Sequence, residues 1–115
     1  MYDLEQAWEG GPDGEGFYVL RGGSNWASVE GHASEWAEIA TAIKAGRPAQ
    51  FRRCAVAPDR GGFAFWSPRN ACSPSDTVWV DAADAKALAA RIVAVLREHG
   101  EPCVLGSFDP IYLGA

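Results

Sequence analysis

The sequence predicts an α+β fold: a largely antiparallel β-sheet of four to six strands with two amphipathic helices packed on one face. Three observations carry this expectation. Two segments, residues 29–43 and 85–96, repeat their apolar residues at spacings of three and four, the period of one helix face. Several short aromatic and β-branched stretches, at 17–20, 51–66 and 77–80, are bounded by glycine, proline and asparagine, as strands are. Most of these stretches are joined by turn formers, which favours hairpins over parallel pairing. A chain of 115 residues that is 48% hydrophobic fits one compact domain over residues 1–115.

Tyr2, Leu4 and Trp8 stand at even positions before GGPDGEG, a segment dense in turn formers, and that alternation predicts a strand. Residues 17–20 (FYVL) form the next, ended by Gly22 and Gly23, so the two make an N-terminal hairpin. From Ser24 or Ser28 onward, Val29, Ala33, Trp36, Ala40 and Ile43 share one helical stripe, widened by Ile39. Gly31 interrupts this pattern, which puts the start of the continuous helix near His32. Gly46 and Pro48 stop it.

Residues 51–70 (FRRCAVAPDRGGFAFWSPRN) read as a hairpin with Pro58 to Gly62 at its tip. Residues 77–80 (TVWV) are another strand, after which Asp81 caps a helix and Asp84 sits in its first turn. Ala85, Leu88, Ala89, Ile92, Val93 and Leu96 form the apolar stripe, and Gly100 ends the helix. Residues 103–105 predict a short final strand. Residues 108–113 are an apolar tail that must dock on the core or meet another subunit, which suggests a homodimer through the C-terminal tail.

The net charge is −5, and its distribution is uneven. Residues 1–50 and 76–115 are acidic, whereas residues 51–75 hold Asp59 alone against Arg52, Arg53, Arg60 and Arg69. An acidic total argues against general nucleic-acid binding, which wants a broad basic face. A small anion or an acidic partner surface fits the basic island. The acidic N-terminus does not read as an export signal, and no run approaches the roughly 18 apolar residues of a spanning helix. The expectation is a soluble cytoplasmic protein without membrane association. Arginine outnumbers lysine eight to two in an alanine-rich chain, a composition that points to a GC-rich bacterial gene.

Register arithmetic narrows the basic hairpin to a candidate site. With a loop of two or four residues, Arg69 faces Arg52, Ser67 faces Cys54 and Phe65 faces Val56; with three or five, Arg69 faces Arg53. Like charges across a ladder need a negative group between them. A phosphate, a carboxylate or an acidic side chain is therefore expected at Arg52, Arg53 and Arg69, with Ser67 and Asn70 as neutral donors. The plainer alternative is an internal ion pair closed by Glu35, Glu38 or Asp81. Trp26, His32 and Trp36 are candidate pocket-lining residues, since His32 precedes Trp36 by about one helical turn.

Gly22-Gly23-Ser24-Asn25 lacks the fuller pattern of a phosphate-binding loop and more simply turns the chain. Cys54, Cys72 and Cys103 are an odd, widely spaced set, which predicts reduced thiols and no zinc site. His99 falls where a cation favours a helix C-terminus. No catalytic residue, metal ligand or cofactor motif is assigned. Two functions fit: a small binding or accessory protein acting through a protein partner, of the immunity or antitoxin kind, or a small-molecule anion site, enzymatic or not, lined by arginine.

Overall fold

The computed structural model describes residues 2–9, 16–22, 29–68 and 77–101. Its element order is β1 (Tyr2–Trp8), β2 (Phe17–Gly22), β3 (Val29–His32), α1 (Ala33–Ala45), β4 (Ala49–Gln50), β5 (Ala55–Asp59), β6 (Gly62–Trp66), β7 (Val78–Asp81) and α2 (Ala82–Glu98). The α+β class is as expected, with the strands divided between two antiparallel meanders, β1-β2-β3 and β4-β5-β6-β7. The two helices pack on each other, and each touches strands of both sheets.

In the first sheet, Leu4, Leu20 and Val29 are aligned across the strands, as are Gln6, Tyr18 and Gly31. Leu4, Tyr18, Leu20 and Val29 enter the core beside Trp36, Ile39 and Ile43 of α1 and Leu88, Ile92 and Leu96 of α2. Val56, Phe65 and Val78, aligned across the second sheet, complete it with Val80. Burial of side chains this large stabilises by roughly 1.5–3 kcal/mol each before entropy is counted.

Val29 belongs to a strand, not to the first helix as its spacing suggests. Gly31 makes the difference: it lies opposite Tyr18 in the ladder and lets Cys54 Sγ and Trp36 approach where a Cβ would stand. The helix then begins after His32, the N-cap, whose N–H donates to Glu35 Oε1 at 2.8 Å. Both helices end on the same device. Gly46 (φ 72°) and Gly100 (φ 69°) take the left-handed conformation, and the following amides, of Arg47 and Glu101, donate back to Ala42 O and Leu96 O. Asp81 Oδ1 accepts the Asp84 N–H at 2.8 Å and caps α2 as expected.

The β5–β6 hairpin has the two-residue loop of the first register: Val56 faces Phe65, Asp59 faces Gly62, and the pairing begins at Ala55 with Trp66. Arg60 (φ 49°) and Gly61 (φ 81°) both have positive φ, as a type I′ turn requires. The open end differs from expectation. Residues 49–50 form β4, paired with Val56 and Ala55, and the Phe51 N–H donates to Cys54 O at 2.8 Å. Arg52 and Arg53 therefore sit in a tight turn between β4 and β5, not in the ladder opposite residue 69. Arg69, residues 103–105 and the tail at 108–113 lie outside the described residues.

Candidate functional site

A β-bulge builds the most distinctive surface. Tyr2, Leu4 and Gln6 pair in a continuous register with Gly22, Leu20 and Tyr18, but the register shifts after Gln6 so that Trp8 pairs with Phe17. An extra residue in one strand reverses which face the next side chain takes. Trp8 consequently leaves the core face of Leu4 and joins Phe17 and His32 on the opposite one.

There the Trp8 and Phe17 rings stack, with centroids 6.1 Å apart and planes inclined by 20°. His32 meets Phe17 edge-on at 5.1 Å, and the Arg53 guanidinium lies 5.5 Å from the Phe17 ring centre, within cation–π range. Trp8 is 55% exposed, Phe17 only 9%, and Arg53 and His32 are half-buried. Phe17 is thus a buried hub holding an exposed indole and a guanidinium in fixed positions. Arg52, next to Arg53 in the turn, is exposed.

Beneath this surface lies a polar corner. Glu35 Oε1, besides accepting the His32 N–H, is 4.0 Å from Cys54 Sγ. His32 Nδ1 is buried without a partner at good hydrogen-bond geometry among the described residues. Burial, and secondarily the Glu35 charge, push the Cys54 thiol up to about 12, so it stays protonated and is a poor nucleophile. A Cys–His nucleophile at this corner has no support.

The expected site residues separate accordingly. Arg53 and His32 are brought together through Phe17, and Arg52 adjoins them. Ser67 is half-buried just after β6. Trp36 is fully buried, its indole N–H donating to Tyr18 O at 3.1 Å, so it lies in the core and not on a surface that a ligand reaches. Trp26, Arg69 and Asn70 lie outside the described residues. Trp8 and Phe17 are the members that sequence spacing passed over, because a bulge leaves no periodic trace.

A concavity of about 440 Å³ lies between β1 and α2 and is lined by Tyr2, Asp3, Asp84, Ala87, Leu88 and Arg91. Its cation is already engaged: Arg91 binds Asp3 at 2.8 Å and approaches Glu98 at 3.8 Å. The hydrogen bond from Arg91 holds the Asp3 carboxyl below its ordinary range, against a smaller opposing effect of burial. Among the described residues no group of His, Cys, Asp and Glu is placed to hold a metal ion, and no helix is long and apolar enough to cross a membrane. No protein-family model, curated protein or solved structure matches the chain.

Proposed function

We propose that this chain is a small cytoplasmic binding protein that acts through a macromolecular partner, of the accessory kind to which immunity proteins and antitoxins belong, and that the partner seats on the Trp8–Phe17–Arg53 surface. Trp8 carries this reading: more than half of a tryptophan is exposed, on a strand bulged to turn it outward and on a ring that fixes its orientation. An indole held in place offers large contact area at low entropic cost, and Trp and Arg dominate the energetics of interfaces. The test is affinity capture from the native host with wild-type and Trp8→Ala baits, followed by mass spectrometry. A partner retained by the wild type and weakened at least tenfold by the variant, about 1.4 kcal/mol, supports the reading. Equal retention by both baits, or no partner at all, overturns it.

The anion-site alternative rests on Arg52 and Arg53, which form no ion pair among the described residues. A thermal-shift panel of phosphates, nucleotides and carboxylates separates the two readings. A bound anion at a hundredfold excess over its dissociation constant stabilises by about 2.7 kcal/mol, and silence across the panel counts against a small-anion site. Homodimerisation through the C-terminal tail is a separate proposal. Deleting residues 108–115 then converts a dimer to a monomer in light scattering, and a monomeric intact chain ends the proposal.

A further inference from the structure

Resting on the partner reading, we infer that the partner is a protein presenting a carboxylate beside an apolar side chain, the carboxylate seating between Arg52 and Arg53 and the apolar group on Trp8. The inference stands on charge complementarity at a built position. The turn between β4 and β5 makes the two arginines chain neighbours, and the Phe17 ring holds both the Arg53 guanidinium, 5.5 Å from its centre, and the Trp8 indole, 6.1 Å from it. Neither arginine forms an ion pair among the described residues, whereas Arg21, Arg60 and Arg91 do. Lys44, Arg47 and Arg97 form none either, but they stand at helix C-termini, where the terminal carbonyls supply negative charge; Lys86, which also forms none, is a single exposed cation between alanines on α2. Arg52 and Arg53 have no such compensation. Of the internal acids expected to close on them, Glu35 is engaged on the His32 N–H and Asp81 on the α2 cap, while Glu38 is exposed and forms no ion pair with them among the described residues.

The same sheet face decides between a local acid and a polyanion. Strand register puts Asp3, Glu5 and Glu30 on the face that carries Trp8, Phe17 and His32, together with Arg21; Glu5 is paired with Arg21 and Asp3 with Arg91, and Glu30 forms no ion pair among the described residues. A phosphate backbone laid along that face would have to pass Glu30 and compete with Glu5 and Asp3 for their arginine partners, which disfavours it. A single carboxylate confined to the turn avoids them. The guanidinium fork suits a carboxylate geometrically, and the half-buried setting of Arg53 strengthens such a pair over a fully solvated one.

The test is selection of a random peptide display library on the full chain, followed by binding measurements on the synthesised peptides. Enriched peptides should share an Asp or Glu adjacent to an aromatic or aliphatic residue. They should lose at least tenfold in affinity both to Trp8→Ala and to the double variant Arg52→Glu/Arg53→Glu, with wild-type melting behaviour in each, and should weaken as salt rises. Peptides that lose affinity to Trp8→Ala yet bind the charge-reversed variant normally overturn the acidic-partner inference and leave the surface reading intact. Peptides indifferent to both variants, or no enrichment, overturn both. A labelled oligothymidine that binds more tightly than any peptide and is lost in the same variants overturns the assignment to a protein.

Discussion

Position 31 leaves no room for a side chain. A Cβ there would stand 2.6 Å from Cys54 Sγ, 3.1 Å from Glu35 Oε1 and 3.3 Å from Trp36 Nε1, and both Cys54 and Trp36 are fully buried. Gly31→Ala should destabilise by about 1–3 kcal/mol in urea titration, the usual cost of overpacking. In a Cys54→Ala background the cost should fall, because the nearest atom is gone; strict additivity would contradict this account. The same thiol has a pH signature. Its folded pKa of about 12 exceeds the ordinary thiol value of 9.0, so between those values the unfolded chain binds fewer protons than the folded one. Stability then declines as pH rises through that window, by at most about 1.4 kcal/mol per unit. Comparing the wild type with Cys54→Ala above pH 9 isolates this slope, and identical pH profiles would refute the assignment.

At the scale of elements, turns and caps divide the legible from the illegible. Asp81, Gly46, Gly100 and the stripes of both helices could be read in advance, because capping chemistry and a 3.6-residue period act within a few neighbouring residues. Asp81→Ala should cost about 1 kcal/mol through the lost bond to the Asp84 amide. β3, the two-residue β4 and the bulge before Trp8 could not be read, since each is imposed by what lies across a ladder. The candidate site shared that fate: its cations were visible as a basic island, while the aromatic hub that orients Arg53 depends on one shifted register. The β5–β6 turn gives the sharpest contrast between adjacent glycines. Gly61 has open space but φ of 81°, so Gly61→Ala should cost about 1–2 kcal/mol in backbone strain. At Gly62 a Cβ would collide with the Val80 carbonyl and stand 2.8 Å from Trp79 Cζ2. Backbone in a central ladder cannot move aside, so Gly62→Ala should lower the melting temperature more than Gly61→Ala.

Across the whole molecule, one cluster of buried residues draws on both helices and on both sheets. The helices therefore couple the two meanders, and unfolding followed by tryptophan fluorescence and by far-ultraviolet dichroism should give coincident transitions. Two separated transitions would mean that the sheets unfold independently. The far end of α2 is tied back to the beginning of the chain: Glu101 Oε2 accepts the Tyr18 hydroxyl at 2.6 Å and the Gly16 N–H at 3.1 Å, and His99 packs edge-on against the Tyr18 ring. Arg91 grips Asp3 across 88 positions of sequence.

These long ties bear on the order of events at the ribosome. The β1–β2 hairpin needs only local pairing and can form as soon as its residues emerge, yet Leu4 stays uncovered until α2 has been synthesised. Until then the nascent hairpin carries an uncovered apolar position, and β1 is locked in place only after the helix that lies about eighty residues beyond it.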